Sequence, residues 1–431
     1  MKKNPPVTYR WGVVVLLFFA TTINYLDRQV IGLLKPTLEK EFSWTETDYS
    51  HIVMAFTGAY ALGLLIFGGF IDKIGTKLGY TISLIVWSIA AMLHAIVKST
   101  FGFGVVRAAL GLGESGNFPA AIKVVAEWFP KRERALATGI FNSGANIGAV
   151  VAPVMVPWIL GVYGWQMAFL ITGAIGFIWL AFWLIFYEIP AKHKKITPEE
   201  IEFINSDTGE EIANNGPEPK VRWLQLFKIR QTWAFFFGKL LTDPIWYFLL
   251  FWLPSYFATT FNLDLKKPSL PLVLVYTATT IGSIGGGYLS SWLIKRGMPI
   301  FKARKTSMLI FALCVLPIFA ARYATNIWQA VGLISLAAAA HQAWSANIFT
   351  TASDMFPKRA VSSVVGIGGM AGSVGGMLFP VFIGYILETA KEAGNITAGY
   401  NIIFIICACA YLLAWFIMHL LTPKMKQVVL D

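Results

Sequence analysis

Charge is scarce in this 431-residue chain. Asp, Glu, Lys and Arg together make up 13% of it, where about 25% is usual for a soluble domain. Hydrophobic residues reach 56% and the mean hydropathy is +0.62. So little polar surface does not cover a soluble globule, which excludes a disordered protein and most soluble enzymes and calls for lipid as solvent. Cysteine is scarce too. Cys314, Cys407 and Cys409 all stand in apolar runs, too few for a disulfide framework or a zinc site. The chain has no His-Glu-x-x-His, no Cys/His ligand cluster and no phosphate-cradling glycine loop with lysine. A membrane-embedded enzyme, a nucleotide-driven pump and an organic or metal cofactor are therefore not expected. The glycine-rich stretches at 282–287 and 366–376 lie inside apolar runs, where small residues let helices approach. Strict apolar/polar alternation is missing as well, which excludes a β-barrel.

What is present is a series of twelve apolar runs, each long enough for a helix to cross a bilayer. They cover residues 11–34, 48–71, 79–97, 101–126, 135–160, 166–187, 232–258, 270–294, 306–321, 327–352, 361–387 and 398–421. The first is expected to be a span and not a cleaved leader, because it holds Asp27 and Arg28 and no small-residue cleavage site follows. The net charge of +12 reads as loop asymmetry and not as a nucleic-acid surface. With both termini inside, 24 Lys and Arg fall in inner segments and seven in outer loops, which predicts cytoplasmic termini. Asn395-Ile396-Thr397 matches a glycosylation sequon on the outer side, to which no weight attaches.

Residues 188–230 interrupt the apolar pattern. Thr197-Pro198-Glu199-Glu200 reads as an N-cap, a proline at the first helical position and a glutamate at the third, so a short surface helix is expected there. The acidic, Gly/Pro-containing stretch from Asn205 to Pro219 reads as a tether. The expected organisation is a six-helix bundle over 1–190, a cytoplasmic linker over 191–229 and a second six-helix bundle over 230–431. The halves repeat. Phe129-Pro130-Lys131-Arg132 recurs as Phe356-Pro357-Lys358-Arg359, and at the same offset Gly139 matches Gly366, Gly148 matches Gly375 and Pro153 matches Pro380. Two parallel repeats of six helices predict a site near mid-membrane between the halves.

Ionisable residues deep in a span are costly and mark function by default. Asp27, Arg28, Arg107, Glu114, Lys123, Lys239 and Asp243 are such residues. Arg107 and Glu114, two turns apart with Gly111 and Gly113 between them, are expected on one helix face. A guanidinium is a permanently charged fork that suits a carboxylate, and Glu114 is a titratable group beside it; the alternative is a pair that only ties helices together. Of Asp27 and Arg28, only one faces a central cavity squarely. Tyr25 and Arg28 share a face suited to a hydroxylated acid; the alternative, for a pair near the end of the first span, is snorkelling at a helix end. Lys123, near the cytoplasmic end of its span, is expected to snorkel. Lys239 and Asp243, four apart, are expected to neutralise each other, while Pro244 is expected to break or kink the seventh span. Polar and aromatic lining is offered by Tyr60, Asn142, Asn146, Trp246, Tyr247, His341, Gln342, Ser345 and Asn347, though the last four named positions of the tenth span do not all face one cavity. For each of these, interhelical bonding competes with ligand contact, and His341 reads more readily as a satisfied core histidine than as a proton carrier.

Gly68-Gly69-Phe70-Ile71-Asp72-Lys73-Ile74-Gly75-Thr76-Lys77 resembles the signature loop of the major facilitator superfamily. The resemblance implies an all-α membrane protein, twelve transmembrane helices in two parallel six-helix bundles, usually a monomer. It also implies a conformational latch at Gly68, Asp72, Lys73, Gly75 and Lys77. Asp72 would sit at a helix end and reach basic groups or a helix N-terminus across the bundle. The matching loop of the second half has Ser291 where an aspartate is often found. Asn24-Tyr25-Leu26-Asp27-Arg28, the Arg107/Glu114 spacing and Glu127-Trp128-Phe129-Pro130-Lys131-Arg132-Glu133-Arg134-Ala135 are similar to the anion:cation symporter branch, which includes bacterial hexuronate and galactonate transporters, sialin and vesicular glutamate carriers. Asp243-Pro244 and Ala340-His341-Gln342-Ala343 are most similar to the hexuronate transporters. By that resemblance Arg28 and Arg107 grip the substrate carboxylate, Asp27 and Glu114 are protonation sites, and Tyr25 and Tyr60 line the pocket. Ala145 and Gly368-Gly369 replace a glutamine and an asparagine of the galactonate members, which weakens galactonate as ligand. The implied activity is proton-coupled import of a sugar acid, most readily glucuronate or galacturonate, across a bacterial inner membrane, with a proton or sodium as the coupling ion. The alternatives are an exporter of amphipathic drugs, which two buried arginines argue against, and a carrier of another carboxylate such as an aldonate or sialate.

Overall fold

The computed structural model describes residues 9–206, 223–263 and 270–430. The expected tether lies, from residue 207 to 219, outside the described residues, as do the basic residues Lys2, Lys3, Lys266 and Lys267. Among the described residues the chain is helical with no strand. That is the outcome demanded by hydrocarbon, where a backbone must satisfy its own polar groups within each segment.

The first half comprises α1 (Tyr9–Phe42), α2 (Glu46–Ile74), α3 (Thr76–Leu93), α4 (Thr100–Glu114), α5 (Asn117–Trp128), α6 (Lys131–Tyr163) and α7 (Trp165–Phe186). Two short linker helices follow, α8 (Pro198–Asn205) and α9 (Trp223–Leu226). The second half comprises α10 (Arg230–Phe251), α11 (Leu253–Phe261), α12 (Leu270–Lys295), α13 (Ile300–Val315), α14 (Ile327–Met355), α15 (Val361–Glu392) and α16 (Ile396–Leu421). Among the described residues nine helices are long and apolar enough to cross a membrane. The α4–α5 pair, the α10–α11 pair and α14 carry too much polar or interrupted sequence for that criterion, and they complete the twelve crossings.

Two of those crossings differ from expectation, the fourth in being broken and the seventh in where it is broken. The fourth is broken at Ser115-Gly116, between α4 and α5. The Ser83 hydroxyl donates to the Gly113 carbonyl at 2.6 Å and Ser115 to Leu112 at 2.6 Å, so side chains satisfy the carbonyls that the break exposes. In the seventh, α10 runs unbroken through Pro244, and the interruption falls at Trp252. Proline removes the donor that the Leu240 carbonyl would otherwise receive. Gly375 of α15 packs there, so closely that a Cβ would lie 2.8 Å from that carbonyl oxygen and 2.8 Å from Pro244 Cγ.

Local sequence sets several boundaries. Thr45 and Asp48 form a reciprocal capping box at the start of α2. Thr197 accepts from the Glu200 amide at 3.3 Å at the start of α8. Gly75, with φ +90°, turns α2 directly into α3, a backbone conformation that a side chain would strain.

The sequence repeat is visible as packing. Gly148 of α6 lies against Thr22 and Tyr25 of α1; its counterpart Gly375 lies against α10. Gly139 of α6 lies against Ser283 of α12; its counterpart Gly366 of α15 lies against Leu64 of α2. The two halves therefore meet along α6–α12 and α2–α15. These seams sit toward the face that carries the linker. There Arg10 at the start of α1 binds Glu133 at 3.2 Å, and the C-terminal tail bonds Met355 through Val428 at 2.7 Å. Large apolar side chains such as Trp158, Ile178, Ile281 and Tyr385 are exposed on the perimeter, where lipid covers them.

Candidate functional site

A cavity of about 120 Å³ lies between the halves. The first half contributes Tyr25, Arg28 and Gln29 from α1, Tyr60 from α2, and Asn142 and Asn146 from α6. The second half contributes Lys239, Asp243, Trp246 and Tyr247 from α10, His341, Gln342 and Ser345 from α14, and Gly369 and Ser373 from α15. Arg28 lies near the middle of α1. Its guanidinium carbon sits 4.7 Å from the Tyr25 ring centroid, 4.6 Å from Tyr60 and 5.1 Å from Phe56. This aromatic cage favours a cation, and the side chain, 20% exposed, lines the cavity. Behind it Arg28 Nε donates to Glu114 Oε2 at 2.9 Å. Glu114 itself is fully buried at the last turn of α4 and is not part of the cavity wall.

Arg107 also stands behind the wall. Its guanidinium donates to the backbone carbonyl of Arg28 at 2.8 Å and stacks 4.6 Å from Phe56. The expected Arg107–Glu114 face is thus filled by Arg28, which inserts between helices and takes the carboxylate. Asp27 points away from the cavity, beside Thr172 of α7, so that of the adjacent pair it is Arg28 that faces inward. Adjacent residues on a helix differ by about 100° in direction, which forces this division.

Asn142 reaches across the interface. Its amide donates to Gln342 Oε1 at 2.9 Å and to Ser283 Oγ at 3.1 Å, forming a polar floor. Asn347, which shares α14 with His341, instead donates to the Gly286 carbonyl at 3.0 Å and stays out of the cavity. His341 stacks parallel to Trp246 at 5.3 Å between centroids, and its Nδ1 bonds the Tyr411 hydroxyl.

Below the floor, on the linker side, charged groups lock the halves together. Asp72 accepts from Lys123 at 2.8 Å and, across the interface, from the Ser363 amide in the first turn of α15 at 2.7 Å. Lys123 is therefore buried in this pair and does not snorkel; the carboxylate in front of it is a nearer partner than the membrane surface. Gly68 permits the approach, since a Cβ there would lie 2.6 Å from the Ser362 carbonyl oxygen. Lys77 bonds Glu188 at 3.0 Å within the first half, and Lys73 is exposed.

The sequence reading passed over a second lock. Asp354, fully buried at the end of α14, binds Arg304 of its own half at 2.9 Å and Arg134 of the first half at 3.3 Å. Arg304 also donates to the Lys131 carbonyl and to Ser290 Oγ, each at 2.5 Å. A signal existed: at the repeat offset Asp354 is the counterpart of Glu127, in the same motif that contains Arg134. Lys239 and Asp243, read as a structural pair, bond at 2.7 Å and also line the cavity.

Comparison with known proteins follows the same outline. The sequence pattern of the Major Facilitator Superfamily matches residues 17–380. The chain is 32% identical over 383 residues to a hexuronate transporter of Escherichia coli K12, covering 88% of each chain. It is 34% identical over 281 residues to a galacturonate transporter of Dickeya chrysanthemi, covering 65% of this chain and 81% of that one. In three dimensions it resembles the proton:xylose symporter XylE bound to 6-bromo-6-deoxy-D-glucose, with a TM-score of 0.74 over 97% of this chain and 98% of that one at 15% identity, a likeness of fold.

Proposed function

The chain belongs to the major facilitator superfamily, and from that premise we propose that it imports hexuronates together with protons by alternating access. It is a multi-pass membrane transport protein and not an enzyme. The observation that carries the finer reading is Arg28: a caged guanidinium on the cavity wall whose protein partner, Glu114, is a single buried carboxylate behind it. A buried charge needs a partner. When Glu114 takes a proton, Arg28 is left with a cavity-facing fork and no counter-ion, and a substrate carboxylate replaces the lost charge. When Glu114 gives up the proton, it reclaims Arg28 and expels the anion. Proton and sugar acid therefore load together. Arg107 holds the Arg28 backbone in place, and Asp27, next to Arg28 on α1, is a second buried carboxylate. The similarity to hexuronate and galacturonate transporters supports the substrate class.

The excess of basic residues, 24 in the inner segments against seven in the outer loops, supports cytoplasmic termini in an inner membrane. With that orientation the state described is sealed toward the cytoplasm. A monomer contains the whole site, and the chain's own groups provide binding and coupling with no cofactor.

The test is uptake of labelled galacturonate and glucuronate into proteoliposomes under an imposed pH gradient. Accumulation should collapse with a protonophore and be inhibited by uronates, not by lipophilic cations. Glu114→Gln should lose concentrative uptake while retaining counterflow exchange. If that variant still concentrates substrate like the wild type, the coupling assignment fails.

A further inference from the structure

The groups that read the hydroxyls of a sugar acid are not accounted for by Arg28, which recognises only a carboxylate. On the opposite wall, Lys239 and Asp243 sit one helical turn apart on α10, with Lys239 Nζ 2.7 Å from Asp243 Oδ2. Both line the cavity. Lys239 is only 4% exposed and lies 4.2 Å from the Phe349 ring centroid. The Asp243 carboxylate is pressed against α15 where Gly372 has no side chain; a Cβ there would lie 2.1 Å from Oδ2.

The ion pair itself lies within α10, and among the described residues its only charged contact to another helix is Lys239 over the Phe349 ring of α14. Lys239 is buried and the Asp243 side chain is 21% exposed. An ion pair this deep in the bundle is poorly justified if it only neutralises itself, because apolar residues of similar volume often serve stability as well or better. It also has unused bonding capacity. An ammonium has three donors and a carboxylate about four acceptor positions, and their mutual contact uses a small part of each. A vicinal diol presents the complementary set: one hydroxyl accepts from the ammonium while its neighbour donates to the carboxylate. One turn along α10, Trp246 stacks on His341 and lines the same cavity, an apolar face of the kind a sugar ring covers.

We propose that Lys239 and Asp243 form the hydroxyl-recognition subsite of the cavity, so that a sugar acid is held by its carboxylate on the first half and by a vicinal diol on the second. This rests on the sugar-acid reading of the cavity. It makes the substrate a bridge between the two walls, and it makes this pair a determinant of specificity for polyhydroxylated over plain carboxylates.

The test compares galacturonate with cyclohexanecarboxylate, a six-membered ring acid without hydroxyls, as competitors of labelled galacturonate exchange in proteoliposomes. The wild type should prefer galacturonate by about 100-fold or more, because a buried polar pair left without its hydroxyl partners disfavours the analogue. In Lys239→Met/Asp243→Leu, which removes both charges together, that preference should fall at least about tenfold through weaker galacturonate binding, with cyclohexanecarboxylate unchanged or tighter. Lys239→Gln/Asp243→Asn, which keeps a donor and an acceptor without charge, should recover part of it. Direct binding of the two acids to the purified wild-type protein supplies the same ratio without a variant. A wild-type ratio near one, or an unchanged ratio in the apolar variant, overturns the inference alone. Failure of the wild type to bind or exchange galacturonate at all overturns the sugar-acid reading beneath it.

Discussion

Arg28 is restrained by aromatic rings on its faces, by Glu114 behind it and by Arg107 at its backbone carbonyl. In the proposed cycle its planar fork is needed twice, once for Glu114 and once for an incoming carboxylate. A lysine keeps the charge but provides neither the fork nor the flat face for stacking. Arg28→Lys should therefore raise the galacturonate KM by about 10- to 100-fold, the equivalent of one or two charge-assisted hydrogen bonds. Arg107→Ala should abolish uptake, although Arg107 does not line the cavity, because it removes the bond that sets the Arg28 backbone and a positive charge near Glu114. Uptake assays on the two variants, with ligand binding measured separately, check this. Loss of transport with retained binding in Arg107→Ala would contradict the positioning role. At this scale the residue types were legible in the sequence. The pairing was not: Arg107 and Glu114 share a helix and the right spacing, but Arg28, 86 positions from Glu114, is the residue that fills the gap.

Helices meet across the two halves at glycines. Gly366 of α15 abuts the Leu64 carbonyl of α2, and an added Cβ would lie 2.2 Å from that oxygen. The obstacle is backbone and does not turn aside as a flexible side chain would. Gly366→Ala should wedge α15 from α2 on the linker side and favour the state open there. Spin labels at the exposed positions Lys73→Cys and Lys295→Cys, one in each half, should report a longer distance in the variant than in the parent. An unchanged distance distribution would mean that the seam accommodates the methyl group. The repeat offset already pointed to Gly139 and Gly366 as equivalents. That each touches the opposite half, while Gly148 and Gly375 each touch the first helix of their own half, follows from helix directions that no linear pattern contains. The same limit explains the helix interruptions. Ser115 and Gly116 fall inside the single apolar run 101–126, where the linear pattern shows no break. Pro244 was expected to break or kink its helix, and α10 runs on through it without a break.

At the scale of the whole molecule, two charged contacts cross between the halves on the linker side: Asp72 on the α15 N-terminus, and Asp354 between Arg134 and Arg304. The second is buried, with Asp354 and Arg304 fully enclosed and Arg134 2% exposed. Removing the shared carboxylate leaves two guanidinium groups buried without it, a loss of about 3–5 kcal/mol for a broken buried pair. The loss falls on the state that makes the contact. Asp354→Asn should therefore lengthen the same label distance, lower the thermal stability of the ligand-free protein and weaken binding of substrate from the outer side. A variant with parental stability and distances would show that the lock does not hold the closed state.

Sequence alone was sufficient for the class of the protein. Hydropathy counts crossings because hydrocarbon tolerates only internally bonded backbone, the offset repeat reveals two equivalent bundles, and arginine and glutamate in a span stand out because burying them is costly. Tertiary structure decided which charge answers which. Side-chain partners depend on the tilt and rotation of helices distant in the chain, so only the packed molecule shows Arg28 on the cavity wall, Arg107 behind it, Lys123 on Asp72 and Asp354 shared between two halves.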